Sequence, residues 1–320
     1  MKVQKISILA LPVMLAGCSA SKYVQEGEYI LNKVEVKSDS AAYDAGALKQ
    51  YVRQKEKPKL FSLFHNPFSK KPVVYDTLQA QLSCRDLLTA MQNQGFLHAG
   101  VTLQTTIYGQ EKTDSIAEKS RKKAPKVDVT YMLHPGEPFH IGKVEYDIED
   151  KNIEQILKLD EPENQKIKPG MRFTVDALDA ERKRIANRLL DDGYFRFNKD
   201  FIQFSADTIA GQKDIAVTLN LLKYKANSNA PETDHPRYEI RNISYQSNDS
   251  DRIHLRHRVL LNATALEEGK PYSASALQRT YNNFARLQAV KYTNIRFSEV
   301  AGNEIDSASV STSEIPSDST

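Results

Sequence analysis

The sequence predicts an α+β protein made of one unit used three times: strand, short helix, long helix, strand, strand. Alternating apolar and polar residues mark strands that recur in the same order. The long helices carry apolar stripes at helical spacing, such as Leu178, Ile185 and Leu189. The spacing Gly-x-x-aromatic-x4-Leu occurs at 170–178 and again at 269–277. Such repetition predicts modules arranged in series.

The chain begins with the pattern of a bacterial lipoprotein signal. Lys2 and Lys5 precede an apolar run at 6–16, and Leu-Ala-Gly then leads into Cys18. The run is too short to span a bilayer, which predicts a signal peptide at 1–17. We expect Cys18 to become the first mature residue and to carry acyl chains such as palmitate. Each buried methylene contributes about 0.8 kcal/mol, so two or three chains anchor the protein firmly.

The residues after Cys18 bear on location. Ser19 stands where an Asp favours retention in the inner membrane, so we expect the outer membrane. No acidic cluster follows in 19–22, which favours the periplasmic side. Residues 18–27 are predicted to be a lipidated linker.

Composition excludes some classes of function. The net charge of +3 falls to +1 (3 − 2) without Lys2 and Lys5, so a nucleic-acid partner is not expected. Cys84 is the only other cysteine, so no intramolecular disulfide is expected. Its position on an apolar helical face predicts a core thiol.

The first module is predicted at 28–136. A strand at 29–36 precedes a helix that carries Leu48, and a long helix at 77–94 ends in a Gly-aromatic pair. Strands follow at 98–108 and 126–133, separated by a basic loop at 110–125.

The second module is predicted at 137–226. Its strand at 139–149 leads to a short helix capped by Asn152. The long helix is opened by Thr174 or Asp176, and Gly193 suits a left-handed position after its end. Strands follow at 201–206 and 214–222.

The third module, at 237–300, is predicted to be incomplete. It has a strand at 238–245, a helix carrying Leu277 and a strand at 291–299. Residues 301–320 are rich in Ser, Thr, Asp and Glu, which predicts a disordered tail in place of a last strand.

Several segments resemble a known family: the lipobox ending at Cys18, together with 29–34 (YILNKV), 59–65 (KLFSLFH), 72–76 (PVVYD) and 93–99 (NQGFLHA). They resemble the POTRA domains of the BamA/TamA outer-membrane assembly superfamily, and in particular its lipidated TamL-type members. The resemblance implies a periplasm-facing scaffold that binds a TamB-like periplasm-spanning protein and unfolded outer-membrane proteins. Family members continue into a transmembrane barrel, which we do not expect within this chain. A truncated chain and a barrel-less accessory lipoprotein both stay open.

The resemblance also implies that incoming strands pair with the strand after each long helix, by β-augmentation. The alternative is that these edges only pack on neighbouring modules. The candidate edge residues are His98, Val101, Leu103, Thr105, Phe201, Ile202, Phe204, Tyr292, Ile295 and Phe297.

A second candidate surface is an apolar cluster interleaved with lysines, suited to a membrane or a partner. Its residues are Lys59, Leu60, Phe61, Leu63, Phe64 and Phe68. The alternative is that these aromatic residues close the core of the first module.

No catalytic residue, metal ligand or cofactor is predicted. The sequence has no nucleophile elbow, phosphate loop or zinc-protease motif. His254 and His257 have helical spacing, but the arginines around them oppose a divalent cation. The prediction is a protein that is not an enzyme, with an unrecognised cell-envelope enzyme as the alternative.

Overall fold

A computed structural model describes residues 24–25, 27–56, 72–109, 125–160, 162–208, 213–247, 255–300 and 308–314. The predicted signal peptide, Cys18 and the whole predicted lysine-aromatic patch, from Lys59 to Phe68, lie outside these residues. So does the predicted loop at 110–125, except for Pro125. Within the described part of the chain, no helix is both long and apolar enough to cross a bilayer.

The chain divides into two compact units, Met1–Pro138 and Phe139–Thr320. The first unit holds one module. Its elements are β1 (Ile30–Ser38), a 3₁₀ helix (Gly46–Tyr51), α1 (Thr77–Asn93), β2 (Gly100–Tyr108) and β3 (Lys126–His134).

The second unit holds two modules. The elements of the second module are β4 (His140–Asp147), α2 (Lys151–Lys158), a 3₁₀ helix (Pro162–Asn164), α3 (Val175–Asp191), a 3₁₀ helix (Lys199–Phe201), β5 (Ile202–Thr208) and β6 (Asp214–Leu221). Those of the third are β7 (Ile243–Ser247), α4 (His257–Ala263), α5 (Ala274–Ala285), β8 (Val290–Arg296) and β9 (Ala308–Glu314).

The three sheets share one topology. Their strand orders are β1-β3-β2, β4-β6-β5 and β7-β9-β8. In each sheet the last strand is central, parallel to the first strand and antiparallel to the strand that follows the long helix. The prediction of repeated modules, each with a three-stranded sheet and helices, is confirmed.

The third module corrects one expectation. Residues 308–314 form the central strand of its sheet, so the expected incomplete module and unstructured tail are wrong for this segment. The segment is poor in apolar residues, which is why the sequence suggested disorder. A central strand forms backbone hydrogen bonds on both sides, a stabilisation that composition does not reveal.

Each sheet packs one face against its helices. On β3, Val127, Val129, Tyr131 and Leu133 are buried at alternate positions. They join a core that α1 completes with Leu87 and Met91, and Cys84 is half-buried against it. Burial raises the pKa of the Cys84 thiol, which keeps it protonated and unreactive.

Side chains set the helix starts. Asp150 caps α2 by accepting from the backbone N–H groups of Asn152 at 3.0 Å and Ile153 at 3.2 Å. The predicted cap at Asn152 is therefore wrong, because that residue is already inside the helix. Thr174 caps α3, as one of the two predicted alternatives had it. Gly193 has φ of +101° just after α3, as predicted.

A buried charge network stabilises the second module. Glu181 is fully buried on α3 and accepts from Arg184 Nη2 at 2.7 Å and from the Lys166 backbone N–H at 2.7 Å. Arg184 also pairs with Asp160. The network ties the loop between α2 and α3 to the helix, and every buried charge in it has a partner.

Candidate functional site

The free side of the first strand in each sheet is partly covered by the segment before the long helix. Leu31 N–H donates to the Val73 carbonyl at 2.8 Å, and Tyr75 N–H donates to the Tyr29 carbonyl at 2.8 Å. These bonds occupy backbone groups at the start of β1 that would otherwise be open to another strand.

The same cover recurs in the other modules. Ile141 N–H donates to the Met171 carbonyl at 2.8 Å. In the third module, Ile240 N–H donates to the Lys270 carbonyl at 2.9 Å. The second outer strand of each sheet, namely β2, β5 or β8, therefore offers the more open backbone.

These three strands differ in how they are guarded against pairing. β5 carries an exposed charge at Asp207, and β8 carries Lys291 and Arg296 together with a register shift after Val290. β2 pairs with β3 in unbroken register over nine residues and has neither a charged residue nor a proline. Charges, prolines and bulges are the usual protection of sheet edges, so β2 is the least guarded edge of the three.

The register assigns the side chains of β2 to two faces. Val101 and Leu103 lie opposite the buried Leu133 and Tyr131, so they face the helices. Ile107 lies on the same face with 43% of its surface exposed, whereas Tyr108 lies on the open face with 49% exposed. An added strand would therefore meet apolar groups on both faces near the end of β2.

The predicted residues of the first module are only partly brought together. Val101, Leu103 and Thr105 share the helix-facing side of β2, with Thr105 exposed. His98 lies in the turn before the strand and is not part of the edge.

The predicted residues of the second module belong mostly to its interior. Ile202 starts β5 but is only 1% exposed. Phe201 ends the 3₁₀ helix before the strand and packs on Phe197. Phe204 lies on β5, half-buried, with the Arg182 guanidinium 5.6 Å from its ring centroid.

In the third module, Tyr292 is half exposed on β8, and Ile295 packs on the core. Phe297 lies beyond β8, with its ring 5.2 Å from Phe195 and 5.6 Å from Tyr272. Phe297 is therefore part of the contact between the second and third modules.

One side-chain arrangement has the order of a catalytic triad. Thr102 Oγ1 lies 3.0 Å from His134 Nε2, and His134 Nδ1 lies 2.6 Å from Asp39 Oδ2. The three residues cross the open face of the first sheet, where the His and Asp side chains are 43% and 54% exposed. A triad acts inside a site that excludes water and holds the substrate, whereas this chain of hydrogen bonds lies on an open surface. It is best described as a cross-strand polar clamp.

Metal ligands do not converge in the described residues. No group of three or more His, Cys, Asp and Glu side chains there is arranged to hold an ion. The sequence argued against a metal site at His254 and His257. His254 lies outside the described residues, and the ring of His257 lies 6.0 Å from that of Tyr245.

A buried histidine fixes the segment between the second and third modules. The His235 ring lies 4.9 Å from that of Phe197, 4.7 Å from that of Phe201 and 6.0 Å from that of Tyr224. Its Nε2 lies 2.9 Å from the Leu222 carbonyl oxygen. Burial lowers the pKa of His235, so the ring is neutral at pH 7.

The junction of these two modules contains contacts that the sequence interpretation missed. Asp191 Oδ1 accepts from Ser273 Oγ at 2.8 Å and from Ser275 N–H at 2.7 Å, at the start of α5. The repeated Gly-aromatic pair at 193–194 was the available signal, because Gly193 O accepts from Tyr238 N–H at 2.8 Å.

The three modules share one connectivity and one strand order, so the chain is a tandem array of strand-helix-helix-strand-strand modules, the element order on which the resemblance to POTRA domains rested. Solved structures similar to it include POTRA domains 3–5 of Haemophilus influenzae BamA, with 13% identity, 91% of this chain and 98% of that chain covered, and a TM-score of 0.41. POTRA domains 1–3 of Omp85 from Anabaena match with 13% identity, coverage of 91% and 97%, and a TM-score of 0.28. The N-terminal domain of Omp85 from Thermosynechococcus elongatus matches with 11% identity, coverage of 91% and 99%, and a TM-score of 0.27.

No family model matches the chain, and no curated protein sequence matches it. At these identities and TM-scores, the similar structures carry no argument about what the chain binds. That question depends on the chain's own strands.

Proposed function

We propose that this protein is a periplasm-facing scaffold of an outer-membrane protein assembly or translocation system, of the TamL type. Its modules hold extended segments of other polypeptides by β-augmentation and do no covalent chemistry. The observation that carries the proposal is β2: nine residues without charge, proline or bulge, paired on one side only among the described residues.

Backbone pairing supplies the affinity. The outer side of an edge strand presents N–H and C=O groups that an extended chain satisfies with little demand on its sequence. The helix-facing side adds apolar surface, because Val101 and Leu103 join the same cluster as Cys84 and Leu88 of α1. A strand added there would extend the packed layer between the sheet and α1.

The two faces of β2 favour a client of alternating character. Val101, Leu103 and Ile107 lie on the helix-facing side, and Thr102 and Gln104 lie on the other. A segment with apolar residues at every second position therefore places its apolar side chains beside the apolar side of β2 and its polar side chains beside the polar side. Strands of outer-membrane proteins have this alternation, which supports unfolded outer-membrane proteins as the clients.

Anchorage and partners follow from the sequence. The lipobox supports attachment to the outer membrane through acyl chains on Cys18, with the modules on the periplasmic side. The resemblance of the N-terminal segments supports a TamB-like protein as the periplasm-spanning partner.

The edge is tested with a fluorescein-labelled peptide of alternating valine and threonine, titrated with the full chain. We expect Thr105→Lys to weaken binding several-fold, because a charge then faces the apolar side of the added strand. Gln203→Lys is the matched control, since it places the same charge on β5, an outer strand that already carries Asp207. Equal binding by the wild type and Thr105→Lys would contradict the proposed site.

The anchor is tested separately. Cells that express the wild type should hold the protein in the outer-membrane fraction and incorporate labelled palmitate into it. Cys18→Ser should abolish both. A Cys18→Ser protein that remains acylated would refute the assignment.

A further inference from the structure

The sequence of β2 is complementary to itself. Antiparallel pairing of two identical strands about a two-fold axis brings residue i of one copy opposite residue j of the other, and j opposite i. With the axis at Gln104, the centre of β2, all nine residues of the strand pair with a residue of the second copy. We infer that the outer edge of β2 pairs with β2 of a second copy of this chain, joining the two sheets into one.

On the helix-facing side, this register brings apolar groups together near both ends of the paired strands. Val101 of one copy lies opposite Ile107 of the other, and Leu103 lies opposite Thr105. The exposed Ile107 side chain, 43% accessible in the single chain, then has an apolar neighbour across the axis.

On the open face, the same register matches polar groups. Thr102 lies opposite Thr106, and the two Gln104 amides face each other. Each hydroxyl is therefore paired with a hydroxyl and each amide with an amide. Gly100 lies opposite Tyr108, whose ring is 49% exposed and can cover the strand where the glycine has no side chain.

Charge selects this edge for self-pairing. If two copies of β5 paired, Asp207 of each chain would lie close to the other copy. If two copies of β8 paired, Lys291 and Arg296 of each chain would lie close to the other copy. β1 carries Lys33 and Lys37 and has a bulge after Leu31. β2 brings no like charges together in any register, and its backbone is continuous over the full length.

Self-pairing regulates the site proposed above, and this part of the inference rests on that function. A second copy and a client strand use the same backbone groups, so they exclude each other. A paired edge is closed to weakly binding chains and opens only when a client competes successfully. Closure of this kind also protects an uncharged edge from aggregation.

The test is a charge exchange at the axis, measured by sedimentation equilibrium over a wide range of concentration. Every sample carries Cys18→Ser, so that no acyl chain drives association. The wild type should shift from one chain to two as its concentration rises. Gln104→Lys and Gln104→Glu should each remain a single chain, because like charges then face each other across the axis. An equimolar mixture of the two variants should again form two-chain particles.

A wild type that stays a single chain at every concentration overturns the inference. So does a mixture of the two variants that fails to associate, or a single variant that associates as the wild type does. The peptide titration separates this result from the proposed function. A single-chain protein that binds the peptide refutes self-pairing alone, whereas a two-chain protein that never yields to the peptide refutes the client site.

Discussion

Gly193→Ala probes the contact that holds the third module on the second. Gly193 has φ of +101°, and a Cβ there would lie 2.9 Å from Arg237 Cγ and 3.0 Å from the Tyr238 carbonyl oxygen. The left-handed backbone and the displaced hydrogen bond from Tyr238 N–H together predict that the free energy of unfolding falls by about 2–4 kcal/mol. The carbonyl oxygen belongs to the backbone and cannot rotate away as the end of a side chain can.

Gly170→Ala is the matched control. Gly170 has φ of +84°, but no atom lies within 4 Å of the Cβ position. The free energy of unfolding of Gly170→Ala should fall by about 1–2 kcal/mol, from the backbone conformation alone. The reduced entropy of the unfolded chain affects both variants alike and cancels in their difference.

The assay is urea-induced unfolding of the full chain combined with hydrogen exchange at 237–242. We expect Gly193→Ala to speed exchange at Tyr238 while the sheet of the first module keeps its protection. Gly170→Ala should leave exchange at the junction unchanged. Equal losses of stability and equal exchange in the two variants would refute the close-contact reasoning.

Three further predictions concern the second module and the segment that follows it. Glu181→Gln should lower the free energy of unfolding by about 2–3 kcal/mol in urea, because it removes one of the two carboxylates that pair with the mostly buried Arg184; Glu154→Gln, whose partners Lys151 and Lys158 are exposed, should leave the midpoint unchanged. Asp150→Ala should cost about 1 kcal/mol by removing the cap of α2, whereas Asn152→Ala should change stability by less than about 0.5 kcal/mol, and equal losses would contradict the cap assignment. Because burial lowers the pKa of His235 below its ordinary 6.5, the folded state binds fewer protons than the unfolded state; stability should therefore be complete above about pH 6.5 and fall as the pH drops below it. The urea midpoint of His235→Gln should fall less between pH 7.5 and 5, and an identical fall would count against this residue.

Local patterns were sufficient to predict most of the fold. Alternation identified strands such as β3, whose alternate residues are buried, and helical spacing identified α3 with Ile185 and Leu189 in the core. Both patterns are visible because one face of each element packs against another layer. β9 was missed, since its stability comes from pairing on both sides and composition does not show pairing.

The candidate site was harder to predict. The resemblance implied that the strand after each long helix is a sheet edge, and the strand orders agree. It did not show that Ile202 is buried or that Phe297 packs at the junction. Ile202 packs in the core of its own module, and Phe297 packs on a residue of the neighbouring module. Both contacts join residues far apart in the chain.

The sequence by itself determined the repeated module and the lack of charge on β2, and it predicted the lipoprotein leader. Each of these depends on residue type at fixed spacing along the chain. Only the tertiary structure decided which strands are central, which backbone edges are covered by the segments before the helices, and which loop of the second module holds the third. Those features depend on pairing between distant segments, whose free energy is set by geometry that no local pattern encodes.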